Sequence, residues 1–148
     1  MMTTQVKAIG NSAAPNTKKR ILLLDDERDI ADAVKIALSD RYWVDVYGNP
    51  AQALSFYRVG FYDLILLDYR MPIMDGFTFY TKVKSIDPNV KFCLMTAYDI
   101  FPTMVANKIQ TESRDSIFPE LCGGKPTLLK KPFDKAKVLS TLAEILNV

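Results

Sequence analysis

Short aliphatic runs and amphipathic stretches alternate along the chain from Arg20 onward. Residues 21–24, Ile-Leu-Leu-Leu, read as a first strand. Ile30, Ala33, Val34, Ala37 and Leu38 then recur at the spacing of one helix face. Residues 42–47 read as a second strand. Asn49-Pro50 pairs an N-cap residue with proline at the first helical position, and Ala53, Leu54 and Tyr57 supply that helix with an apolar face. Residues 64–67 are a third strand, whose unbroken apolar character suits burial on both faces. Phe79, Tyr80, Val83 and Ile86 mark a third helix that ends near Asp87-Pro88. Residues 90–95 form a fourth strand and 127–129 a short fifth. Asp134 caps a last helix with Val138, Leu142, Ile145 and Leu146 on one face.

Strand–helix alternation of this kind predicts an α/β fold, with helices on both faces of a parallel sheet. Right-handed crossovers and five strands favour the doubly wound order 2-1-3-4-5. One crossover is long. A helix of about 12 residues with two loops of about 2–6 is shorter than the stretch between Thr96 and Thr127. Residues 100–110 fit a helix. Residues 113–126, with Phe118-Pro119 and Gly123-Gly124, fit an inserted segment, either a tolerated surface insertion or a recognition element. Residues 1–18 lack periodicity and read as a disordered arm, which leaves residues 19–148 as one domain.

Composition narrows the chemistry. The 148 residues include no histidine and two cysteines, Cys93 and Cys122. That excludes a His–Asp catalytic pair, a histidine zinc site and a histidine phosphocarrier within the chain. The cysteine spacing does not exclude a disulfide, but two reduced thiols in a cytoplasmic protein is the simpler reading. No apolar run approaches the ~20 residues of a membrane span, and the N-terminus has no signal-peptide core. The formal net charge of +2 does not imply a nucleic-acid surface. Lys7, Lys18, Lys19 and Arg20 stand in a tail without acids, so the remainder is net acidic.

The carboxylates at the strand ends carry the chemistry. In order 2-1-3-4-5, strands one and three flank the switch point where ligands bind. The first strand ends in Asp25-Asp26-Glu27 and the third in Asp68. Gathered there unpaired, these acids would repel one another and raise their own pKa values. A hard cation with open water positions, such as Mg²⁺, resolves that cost. The blander alternative is acids that cap helices or pair with Lys and Arg. Thr96 ends strand four, and Lys130-Lys131-Pro132-Phe133 follows strand five. Carboxylate, divalent metal, hydroxyl and ammonium together suit capture of a phosphoryl group as an acyl phosphate.

With these residues in order, residues 20–147, apart from the inserted segment, closely resemble the receiver domain of two-component response regulators. The matching stretches are Ile21 to Glu27, Asp63 to Gly76, Met95-Thr96-Ala97 and Lys131-Pro132-Phe133. The resemblance implies the flavodoxin-like receiver fold, with Asp68 as phosphoacceptor. It also implies a Mg²⁺ site formed by Asp25, Asp26, Asp68 and the main-chain carbonyl of Arg70. Thr96 would bond the phosphoryl oxygens and Lys131 would pair with them, its bond to Pro132 being cis. Lys130, which does not directly precede the proline, is the weaker candidate. The donor would be a phosphohistidine on a separate histidine kinase.

The chain also departs from the family pattern. Leu128 stands where an aromatic switch residue is usual, and the inserted segment falls just before it. Both lie on the family's partner surface, so an altered readout is expected. Arg70 and Tyr98 would flank the phosphoryl group and slow its hydrolysis. The leading expectation is a stand-alone receiver, a phosphoacceptor rather than an enzyme. It would signal by contact with a downstream target or phosphotransfer protein, without nucleic acid or membrane insertion. The alternative is a degenerate receiver that binds partners independently of phosphorylation. An aspartate-nucleophile phosphatase is disfavoured because Tyr69-Arg70 follows Asp68, without a second acid.

Overall fold

The computed structural model describes residues 17–69, 71–96 and 128–148, with the side chains of Thr96 and Leu128 excepted. The strands are β1 (Lys19–Leu24), β2 (Tyr42–Tyr47), β3 (Leu64–Asp68), β4 (Lys91–Thr96) and β5 (Leu128–Lys130). The helices are α1 (Arg28–Leu38), α2 (Pro50–Ser55), α3 (Gly76–Ile86) and α4 (Lys135–Leu146). The arm up to residue 16, the expected helix 100–110 and the segment 113–126 lie outside the described residues, as do Arg70 and Tyr98.

All strand pairs are parallel, and the order is β2-β1-β3-β4-β5, as the alternation predicts. Side chains along a strand point alternately to the two faces. Leu22, Leu24, Ile65, Leu67, Phe92 and Leu94 therefore enter one core, with Phe79, Tyr80 and Val83 of α3. Ile21, Leu23, Leu64, Leu66, Cys93 and Met95 enter the other, with Ala31, Val34 and Leu38 of α1 and Val138 and Leu142 of α4. Burial on both faces accounts for the unbroken apolar runs of β1 and β3.

The expected caps form. Asn49 Oδ1 accepts from Gln52 N at 3.1 Å, and Asp134 Oδ1 accepts from Lys137 N at 2.8 Å. Two details of the periodicity do not hold. Tyr57 lies beyond the end of α2, because the chain turns at Phe56 and the Tyr57 hydroxyl donates to the buried Asp87 at 2.8 Å. Ile86, at the last turn of α3, is half exposed. Strand β1 starts earlier than its aliphatic run, since Arg20 N donates to Asp63 Oδ2 at 2.8 Å. Among the described residues, no helix is long and apolar enough to cross a membrane.

Candidate functional site

Strands β1 and β3 are neighbours in register, with Leu24 beside Leu67. The residues that follow, Asp25 and Asp68, therefore emerge at the same sheet edge. Asp25 is anchored by its backbone N–H, which donates to Tyr47 O at the end of β2 (3.1 Å). Its Oδ1 accepts from Glu27 N at 2.9 Å, closing the turn into α1. Below Asp68, α3 begins at Gly76, whose N–H donates to Tyr69 O at 2.8 Å. A Cβ on Gly76 would stand 2.8 Å from Asp68 O and 2.9 Å from Tyr69 Cα. Only glycine permits that approach of the helix to the strand end.

One carboxylate oxygen each from Asp25, Asp26 and Asp68 lies within 4.8 Å of the other two. Asp25 and Asp68 are buried and Asp26 is exposed. Burial raises the Asp68 pKa first, and the negative charge of Asp25 adds to it. Lys131 opposes the rise, while a hydrogen bond with Asp25 and the charge of Asp26 add further, so the carboxyl is pushed up to about 7. Lys131 reaches the same point from strand β5. Its Nζ lies 2.9 Å from Asp25 Oδ2, 3.5 Å from Glu27 Oε1 and 3.6 Å from Asp68 Oδ2. Burial by itself lowers the ammonium's pKa, but bonding to Asp25 and the charges of Asp68, Asp25 and Glu27 outweigh this and raise it. Lys130 is exposed, and the Lys131–Pro132 bond is cis, as expected.

Three hard oxygen donors, short of positive charge and partly open to solvent through Asp26, fit a small divalent cation that keeps several waters. Burial first, and then the like charges beside it, disfavour the Asp68 carboxylate, and such an ion would offset both. Asp25, Asp26, Asp68 and Lys131 thus come together. Thr96 ends β4, which pairs with β3 so that Asp68 faces Met95. The Thr96 hydroxyl and all of Arg70 lie outside the described atoms. The sequence assigns no role to Gly76, and it places Glu27 among the crevice acids without pairing it to Lys131. The signal for Glu27 was its place beside Asp25-Asp26.

The response regulator receiver domain family matches residues 21–118, and the chain belongs to that family. It is 31% identical over 107 residues to the C4-dicarboxylate transport transcriptional regulatory protein DctD of Rhizobium meliloti, a match covering 72% of this chain and 22% of DctD. It is 30% identical over 130 residues to the chemotaxis protein CheY of Bacillus subtilis, covering 86% of this chain and 98% of CheY. Among solved structures, a CheY-like receiver domain protein from Methanospirillum hungatei superposes with a TM-score of 0.71 at 25% identity, covering 88% of this chain and 95% of that one. The chain spans about a quarter or less of the first two curated relatives it matches. It is a receiver domain of the two-component response regulators.

Proposed function

We propose that Asp68 accepts a phosphoryl group from a phosphohistidine on a separate histidine kinase. One observation carries this reading: Asp68 sits within 4.8 Å of two further carboxylates and beside one buried lysine, at the sheet's switch point. Asp25, Asp26 and Asp68 would hold Mg²⁺, together with the Arg70 carbonyl. When bound, that ion supplies positive charge to offset the transferring phosphoryl group. Asp68 acts as its carboxylate: an oxygen forms the new bond to phosphorus, the P–N bond to the donor imidazole breaks, and its electron pair leaves with the nitrogen. Lys131 donates to the phosphoryl oxygens and balances their charge. Thr96 bonds the same group and couples it to the surface that follows β4.

On this reading residues 19–148 form the receiver, with 1–18 as an arm and 113–126 as an insertion in its partner surface. It works in the cytoplasm, and its output is contact with a downstream target or phosphotransfer protein. The match to nearly the whole of CheY supports that mode of output. The longer transcriptional relatives keep open an output made elsewhere in a larger protein. The test is incubation with acetyl phosphate and Mg²⁺, read by intact mass. The chain gains one phosphoryl group and Asp68→Asn gains none. No gain by the unmodified chain would favour a phosphorylation-independent binding module.

A further inference from the structure

We infer that Glu27 is a positioning residue that restrains Lys131 in the resting site and thereby sets how readily the site accepts a phosphoryl group. The inference rests on the assignment of Asp68 as phosphoacceptor and adds to it a control residue outside the metal-binding trio.

The N-terminus of α1 shows that Glu27 is not spent on the helix. It occupies the N-cap position with extended backbone, φ −84° and ψ 100°, yet makes no side-chain cap hydrogen bond. Residues that cap well are short, because the cap needs an oxygen two or three bonds from Cα. Glutamate is too long for that geometry, and its Oε1 lies 3.5 Å from Lys131 Nζ instead. The backbone of Glu27 is itself fixed by its N–H donating to Asp25 Oδ1. Asp25 thus holds both the turn and the lysine, while the Glu27 side chain reaches the lysine alone.

An ammonium has three N–H donors. Around Lys131 there are three carboxylates: Asp25 at 2.9 Å, Glu27 at 3.5 Å and Asp68 at 3.6 Å. The two on the β1 side are at least as close as the phosphoacceptor. A phosphoryl group on Asp68 needs a donor that the resting arrangement divides between Asp68 and its neighbours. Glu27 differs from Asp25 in being mostly exposed, 59% against 0% for the side chains. It is therefore the partner that can be removed without stranding a buried charge. It also adds negative charge to the rim that an anionic donor must approach.

Two effects follow when its charge is removed at constant size. At saturating Mg²⁺, Lys131 is held less firmly and the rim repels the donor less, so phosphorylation quickens. At low Mg²⁺, the site attracts the cation less, so more is needed. A purely structural role would move neither the half-saturating Mg²⁺ concentration nor the saturated rate in these opposed directions.

The experiment uses the full chain with acetyl phosphate as probe, initial rates being followed by intact mass across a Mg²⁺ titration. In E27Q the rate at saturating Mg²⁺ rises about threefold to tenfold, the size of one unit charge at a partly solvated rim. The half-saturating Mg²⁺ concentration rises as well. E27D, one methylene short of Lys131, keeps the charge and shows a smaller rate gain. If E27Q does not fold, E27A is read by the same criteria. An unchanged or lower saturated rate overturns the role of Glu27. Labelling that persists in D68N overturns instead the assignment of Asp68, so the two failures are separable.

Discussion

The Nζ of Lys131 lies 2.9 Å from Asp25 Oδ2, joining the end of β5 to the end of β1 with side chains only 8% and 0% exposed. Removing one member of a buried pair leaves the other charge without compensation. Among the described residues, Asp25 would keep the Glu27 N–H and its hydrogen bond with Asp68, and Asp68 would lose the cation that lowers its pKa. Lys131→Met is expected to cost about 3 kcal/mol in EDTA. Mg²⁺ should recover part of that loss. Exposed Lys130→Met should stay within about 0.5 kcal/mol of the unmodified chain. Urea denaturation of the three proteins with and without Mg²⁺ measures this, and equal losses at 130 and 131 would count against it.

The raised pKa of Asp68 makes stability depend on pH in a defined direction. In the folded, metal-free protein the carboxyl titrates at about 7, against an ordinary value of 3.8. Between those values the folded state keeps a proton that the unfolded chain has released. Stability therefore falls as pH rises through that window and levels off above it. Asn at 68 does not titrate, so the stability difference between the unmodified chain and Asp68→Asn isolates the effect. In EDTA the difference should move against the unmodified chain from about pH 4 to about pH 7. Mg²⁺, which competes with the proton, should stabilise more at pH 8 than at pH 5. A difference curve that is flat across the window would sink the prediction.

Much of this site is legible in the sequence. Asp25, Asp26 and Asp68 announce themselves as the polar ends of apolar runs, and strand order alone brings such ends together. Lys131 was separable from Lys130 by its place next to Pro132. Glu27 was not legible in the same way, because its contact with Lys131 depends on a side chain folding back from a helix N-cap, and no periodicity encodes that. Tyr57 departs from its helix face for a related reason. Its spacing from Ala53 matches a helix face, but the hydroxyl is drawn to Asp87, thirty positions away. Local pattern locates strands and their ends well, and it locates long-range polar partners poorly.

Gly76 joins fold and site most directly. The Cβ of an alanine there would meet Asp68 O at 2.8 Å and Tyr69 Cα at 2.9 Å, and both are backbone atoms that cannot swing aside. Gly76→Ala is expected to destabilise by about 1–3 kcal/mol, the usual range for overpacking. Because the clash bears on the peptide of Asp68, weaker Mg²⁺ binding should accompany the loss. Gly60→Ala serves as the comparison. Its added Cβ meets nothing within 4 Å but sits at φ +77°, so it loses stability through backbone strain and leaves Mg²⁺ affinity unaltered. Calorimetric Mg²⁺ titration of both variants distinguishes the two kinds of damage.

Ile73 presents the opposite case, a residue whose replacement should strengthen the fold. It adopts φ 76° and the residue is 84% exposed. A β-branched residue in the left-handed region carries a steric cost of about 1–2 kcal/mol, and here almost no burial offsets it. Glycine takes up that conformation freely but gives the unfolded chain more freedom. The net expectation for Ile73→Gly is a gain of about 1 kcal/mol. The loop also leads from Asp68 to Asp75, whose Oδ1 accepts from Thr78 N at 2.8 Å to cap α3. That cap does not involve the Ile73 side chain, so labelling by acetyl phosphate should proceed at the unmodified rate. A loss of stability in Ile73→Gly would show that the isoleucine side chain contributes contacts that outweigh its backbone strain.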